Sequence, residues 1–369
     1  MPVPTLRPAD RCPGLLRPHH ARDGALVRLR VPGGRIEADA FAALRRVAGE
    51  YGDGDIHLTS RANVQLRALP VDEHGAVPEP VSAHLRTAGF LPSPSHERVR
   101  NIVASPLSGI AGGRADVRGL ARALDAQLCA DPGLAGLSGR FLFGFDDGRG
   151  DLAGVRCDLR AVAEDPGTMR ILAGRWAGPR VPTADAPPAL LTLARRFLAT
   201  AGDRWNVRDL PRGGAELLED PHAPGETDPQ PIAYGPLPGG ALSVLVPLGL
   251  VTPQAGAALS RAAGPDGALT VTPWRGLVVT PGTGAPGPGT ALQALHEAGL
   301  VTGPGSPWSR ISACTGAPGC ARSAGDTRGE ARRLAARGTP GEPLHVVGCD
   351  HACGAPRTPH RLITVRSDT

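Results

Sequence analysis

The sequence predicts an α+β chain built twice to one plan, on three observations. A strand–helix–strand unit spans 24–67 and returns at 240–279, with Gly-Ala-Leu at 24–26 echoed at 240–242 and Pro32-Gly-Gly34 echoed by Pro247-Leu-Gly249. Each unit is followed by an α/β segment, and the two segments open on the related runs Arg100-Asn-Ile and Arg310-Ile-Ser. Gly and Pro, 50 and 39 of 369 residues, force short elements and many loops. The expected division is 1–92, a first half-domain; 93–220, an α/β domain with a helical linker; 221–290, a second half-domain; and 291–369, a second α/β domain.

In the first unit Val27, Leu29 and Val31 alternate with Arg28 and Arg30, the period of a half-buried strand. Phe41, Leu44, Val47 and Ala48 follow at helical spacing, and Gly49 and Gly52 end the helix. One extended stretch is expected from Ile56 through Leu66. It would set Arg61, Asn63, Gln65 and Arg67 on one face, because residues two apart on a strand share a side. Spacing alone equally fits the solvated outer face of an antiparallel sheet.

Val117, Leu120, Leu124 and Leu128 mark the next helix, and Arg140 to Phe145 reads as a strand. A Pro-rich connection at 179–188 leads to a helix near 189–201, and a flexible linker is expected from Asp220 to Pro231. In the second unit Thr252 is an N-cap with Pro253 at the first helical position, and Gly264 can end the helix. The run Trp274 to Val279 parallels Arg61 to Leu66, but its alternate positions are Arg275, Leu277 and Val279. The polar face has mostly gone, leaving Arg275 as a single candidate ligand. A helix over 328–337 and a strand from Leu344 to Val347 complete the chain.

Composition narrows the function classes. Net charge is +5, and all 40 basic residues are Arg, so every fixed cation is planar, bidentate and permanently charged. No Arg run occurs and aromatics are 3%, which argues against a nucleic-acid platform. No stretch reaches the roughly 20 apolar residues of a membrane span, and the N-terminus lacks the apolar core of a signal peptide. A cytoplasmic protein is therefore expected, with seven cysteines serving as ligands or core thiols. Gly282-Thr-Gly284-Ala-Pro-Gly287 fits a dinucleotide fingerprint, but its prolines spoil the phosphate turn and no acid follows about 20 residues on. Cys129 and Cys157 read as core thiols. His19, His20 and His351 read as surface or supporting groups.

Four of the cysteines form two pairs, Cys314-Thr-Gly-Ala-Pro-Gly-Cys320 and Cys349-Asp-His-Ala-Cys353. A thiolate quartet amid Gly and Pro lets backbone N–H groups approach the sulfurs, which suits an iron–sulfur cluster. Structural zinc and disulfides are the competing readings. The five-residue gap exceeds the usual zinc spacing, and disulfides need an oxidising compartment.

The two cysteine pairs, Thr59-Ser-Arg-Ala-Asn-Val-Gln-Leu-Arg67 and Arg100-Asn-Ile-Val-Ala-Ser-Pro-Leu-Ser-Gly109 together resemble the sirohaem-dependent nitrite and sulfite reductase superfamily, and within it the cobalamin-pathway branch, over residues 11–360. The resemblance implies two ferredoxin-like half-domains plus two α/β segments. It implies a [4Fe-4S] cluster on Cys314, Cys320, Cys349 and Cys353. Arg28, Arg61, Gln65 and Arg67 are implied ligands of a tetrapyrrole's carboxylates, with Asn63, Arg100, Asn101 and Arg140 completing the substrate site. In that branch precorrin-3A is hydroxylated by O2 and lactonised, with a non-haem iron beside the cluster and an external electron donor, NAD(P)H through a reductase or ferredoxin. The alternatives are a reductase holding sirohaem and a zinc-stabilised tetrapyrrole-binding protein. The reductases carry two alternating basic residues on the strand matching Gly139 to Leu142; here Arg140 fills the first place and Leu142 the second.

Overall fold

The computed structural model describes residues 10–225 and 232–366. The first segment comprises β1 (His19–Ala21), β2 (Gly24–Leu29), β3 (Arg35–Glu37), α1 (Ala38–Tyr51), β4 (Ile56–Leu58), β5 (Val64–Leu69) and α2 (Glu79–Thr87). The expected continuous strand is broken in two. Thr59 and Asn63 close a tight turn, Thr59 N–H to Asn63 O at 2.9 Å, with Ala62 at φ 54°. Half of the expected linker, 226–231, lies outside the described residues.

The α/β segment follows with β6 (Ile102–Ala104), α3 (Arg118–Cys129), β7 (Phe143–Asp146), β8 (Leu159–Asp165), β9 (Thr168–Ala173), β10 (Trp176–Pro182) and α4 (Ala186–Thr200). The second half then runs β11 (Gly235–Pro236), β12 (Leu242–Leu245), β13 (Leu250–Val251), α5 (Pro253–Ala263), β14 (Ala268–Val271), β15 (Gly276–Thr280) and α6 (Pro288–Glu297). The Thr252 hydroxyl accepts the Ala255 N–H at 3.2 Å, the cap that starts α5. The last segment holds β16 (Ile311–Ala313), α7 (Thr327–Ala336), β17 (Leu344–Val347) and β18 (Arg361–Thr364).

The duplication is visible in the sheets. One has the order β1-β2-β5-β4-β13 and another β11-β12-β15-β14-β3. Each half therefore lends a short strand to the other's sheet: β13 pairs with β4, and β3 pairs with β14. The turn repeats too, for Thr272 N–H bonds Gly276 O at 2.9 Å and Arg275 sits at φ 62° where Ala62 sits in the first copy. Leu44, Val64 and Leu66 share one buried core with Val244, Leu277 and Val279. The half-domains expected at 1–92 and 221–290 are thus interleaved around a single core.

The two α/β segments have diverged. The first is a five-stranded sheet, β10-β9-β8-β7-β6, covered by α3 and α4 over Phe141, Phe143, Phe145 and Phe197. The second is a three-stranded parallel sheet, β16-β17-β18, with only Ile311, Ala331 and Val346 fully buried in its own core. A core that small stabilises little by itself, and regions of this kind usually depend on a staple such as a metal site.

Candidate functional site

Both cysteine pairs leave the carboxyl ends of adjacent parallel strands. Cys314 follows β16 and Cys349 lies just past β17, the edge where open parallel sheets place their ligands. The Cys314 N–H bonds Val346 O, and the Cys320 N–H bonds Gly316 O, both at 2.9 Å. Gly316 needs to be Gly: its φ is 72°, and a Cβ would press on the backbone N of Thr327 at 2.8 Å. Thr327 opens α7 and hydrogen-bonds the Cys314 carbonyl at 2.8 Å, which brings the positive end of the helix to the sulfurs.

The four thiols converge. Burial raises the Cys353 thiol pKa, and the sulfurs of Cys349, Cys314 and Cys320 raise it further. All seven cysteines are free. Among the described residues, the sets of three or more donors within 4.8 Å of one another are Asp53-Asp55-His57 and Asp146-Asp147-Asp151, so no three of these sulfurs are that close. A ZnS4 tetrahedron with bonds of about 2.3 Å would hold its sulfurs about 3.8 Å apart. The sulfurs are therefore more widely spread than a closed tetrahedral zinc site would hold them. His345, on β17 beneath the loop, bonds Ser312 at 2.8 Å and the Cys353 carbonyl at 3.2 Å; burial followed by the charge of Arg275 pulls its pKa down to about 4, so the ring is neutral.

Beside these loops lies a cluster of arginines. Burial lowers the pKa of Arg61, and so do the charges of Arg208 and Arg140, while Cys12 and Asp158 oppose them. Arg357, four residues past Cys353, is lowered by burial and then by Arg156, Arg208 and Arg61. Arg28 is lowered by burial and by Arg61, and it donates to Gln65 Oε1 from Nε at 3.0 Å and Nη2 at 2.6 Å. Arg140 stacks over the Trp205 ring, 5.0 Å from its centroid. Mutual repulsion of so many guanidinium groups disfavours the empty arrangement and favours a polyanion.

A buried network holds this cluster. Asp158 accepts the N–H groups of Val207 at 2.7 Å and Leu142 at 2.8 Å and the Asn206 amide at 3.1 Å; burial pushes its carboxyl up to about 6. Asn206 in turn donates to the Arg140 carbonyl at 3.3 Å and accepts from Arg208 at 3.1 Å. Arg30, almost wholly buried behind Arg28, is lowered to about 9 by burial, with Nε and Nη2 left without a hydrogen-bond partner.

Four of the expected substrate ligands are placed otherwise. Asn63 is fully buried, taking the Val31 N–H at 2.9 Å and giving its amide to Asn101 at 3.1 Å. Asn101 spends its own amide on Arg98 O and Gly139 O. Arg100 forms a two-point pair with Asp125 of α3, 2.7 Å each, and is 3% exposed. Arg67 pairs with Asp23 and reaches the Gly319 carbonyl of the first cysteine loop at 3.0 Å. The turn at Thr59 to Asn63 removes Asn63 from the strand that was expected to set Arg61, Asn63, Gln65 and Arg67 on one face, while Arg67, Arg100 and Asn101 are taken up by Asp23, by Asp125 and by the Arg98 and Gly139 carbonyls. Arg28, Arg61, Gln65 and Arg140 remain at the arginine cluster. Arg156, Arg208 and Arg357 join them without any sequence signal beyond the place of Arg357 near Cys353.

Residues 17–79 match the family model of the nitrite/sulfite reductase ferredoxin-like half domain. The chain is 28% identical to a precorrin-3B synthase of Sinorhizobium sp., over 94% of this chain and 78% of that one. A ferredoxin–nitrite reductase of Synechococcus elongatus is 35% identical over 108 residues, 28% of this chain and 20% of that protein. The solved structure of Mycobacterium tuberculosis NirA superposes with a TM-score of 0.67 at 19% identity, covering 89% of this chain and 68% of that one, which shows a shared fold. Residues 17–79 thus form a nitrite/sulfite reductase ferredoxin-like half domain, and homology to a precorrin-3B synthase and a nitrite reductase implies an oxidoreductase. Over almost its whole length the chain is a homologue of precorrin-3B synthase.

Proposed function

We propose that the protein is an oxygen-dependent precorrin-3B synthase, which hydroxylates precorrin-3A at C20 and closes a γ-lactone from an acetate arm. One observation carries the reading: Arg28, Arg61, Arg140, Arg156, Arg208 and Arg357 gather beside four converging cysteines. The substrate is a flat apolar disc rimmed by carboxylates, and bidentate guanidinium groups suit that rim. Arg61 and Arg140, fixed by the Gly139 carbonyl and the Trp205 face, would orient the macrocycle; Asp158 and Asn206 would keep Arg140 and Arg208 in place before it arrives. Preorganised cations spare the ordering cost that free side chains would add on binding.

Cys314, Cys320, Cys349 and Cys353 would hold a [4Fe-4S] cluster, which supplies one-electron transfer when bound. Electrons would enter from NAD(P)H through a reductase or ferredoxin. One atom of O2 ends on C20 and the other as water.

Leu142 speaks against the sirohaem reductases. It is buried in the core with its N–H on Asp158, so this position offers a small anion no cation. The test is turnover of anaerobically purified protein with precorrin-3A, O2 and a reductant. A product heavier by one oxygen atom, lactonised, is expected. Tightly bound sirohaem with nitrite or sulfite turnover would overturn the reading.

A further inference from the structure

Two arginines reach the cysteine loops, one from each repeat of the strand–turn–strand hairpin. Arg67, on β5, donates to Gly319 O at 3.0 Å, inside the Cys314–Cys320 loop. Arg275, in the turn before β15, donates to Gly354 O at 2.9 Å, next to Cys353. The two differ in charge balance. Arg67 forms a two-point pair with Asp23 at 3.0 and 3.1 Å, whereas no carboxylate among the described residues lies within ion-pair distance of Arg275. The clamps are close-fitting: a Cβ at Gly319 would meet both Asp23 and Arg67, and one at Gly249 would meet the Arg275 side chain at 3.4 Å.

We propose that Arg67 and Arg275 are positioning residues of the iron–sulfur site, each pinning one cysteine loop and supplying positive charge to it, and that neither binds the macrocycle's carboxylates. This rests on the cluster assignment above. A reduced cluster carries one more negative charge than an oxidised one, so a fixed guanidinium beside it favours reduction, while the Asp23 carboxylate opposes it. The loops hold the cluster, and the hairpins that hold the loops also border the arginine cluster. Cluster position relative to a bound disc is thereby set from both repeats at once.

The experiment is a redox titration of the cluster, followed by its EPR signal, in anaerobically purified wild type and four variants, with uroporphyrin affinity measured in parallel. Arg275→Gln and Arg67→Gln should each lower the reduction equilibrium constant tenfold or more, about 59 mV for one electron. Asp23→Asn, which keeps an acceptor for Arg67, should shift it the opposite way, and Arg275→Lys should restore most of the wild-type value. Uroporphyrin affinity should stay within about twofold throughout, far inside the tenfold that 1.4 kcal/mol represents. Opposite signs from Asp23 and Arg67 distinguish charge from mere loss of packing. Potentials that do not move, with affinity falling tenfold in the Gln variants, would overturn the proposal. Wild-type protein lacking iron and sulfide would instead sink the cluster assignment itself.

Discussion

Arg61 is the cation through which the arginine cluster is organised, since Arg28, Arg140, Arg208 and Arg357 all feel its charge or lend theirs to it. Arg61→Leu should weaken tetrapyrrole binding at least tenfold, by titration of uroporphyrin, while melting shifts by a degree or two; removing a like charge from a crowded cationic cluster costs the fold little. Asp151 gives a prediction of another kind. Burial, then the charges of Asp146 and Asp147, push its carboxyl up to about 7, against help from Ser105 and Arg149. A carboxyl raised in the folded state contributes stability below its unfolded pKa and loses it as pH climbs through the folded value. Asp151→Asn, which keeps an acceptor for Ser105, should gain stability relative to wild type between pH 5 and pH 8, by up to a few kcal/mol in denaturant titrations. An unchanged difference across that range would refute the assignment. At this scale the cysteine quartet was legible in the sequence because its spacing is local. Arg100 was misjudged because its partner, Asp125, lies on a helix that the motif does not include.

Among the elements, the loops after β16 and β17 matter most. The last segment buries few side chains, so its stability should depend on the group the cysteines hold. Cys349→Ser should abolish the visible absorption of the bound cluster and expose the region from 311 to 364 to protease, while 19–300 resists; proteolysis followed by mass spectrometry reads this directly. The hairpins show where strand reasoning stops. Alternation of Arg61, Asn63, Gln65 and Arg67 predicted one strand, but Thr59 caps a turn by taking the N–H groups of Arg61 and Asn63. A Thr-initiated turn competes with strand geometry through its own hydroxyl, and period-two counting does not sense that competition. The α5 cap, by contrast, was legible from Thr252 and Pro253 because capping is local chemistry.

On the scale of the whole molecule, the repeat was readable and the exchange was not. Gly-Ala-Leu and Pro-Gly-Gly revealed two copies, yet no local pattern specifies that β3 and β13 cross between sheets. Such pairings are decided by the shared core. The interleaving predicts that the two half-domains melt together. Calorimetry should give one transition for this core, and the first half expressed without the second should be unfolded, since it would lack β13 and the apolar side chains that the second half adds to the core. A well-dispersed spectrum from the isolated first half would refute this. No helix of the described residues is long and apolar enough to cross a membrane.

The most direct test of the central claim is elemental and spectroscopic analysis of protein purified without oxygen. The account predicts about four irons and four sulfides per chain, an EPR signal on reduction and no sirohaem absorption. One zinc with no iron, or the four thiols found linked as disulfides, would contradict it.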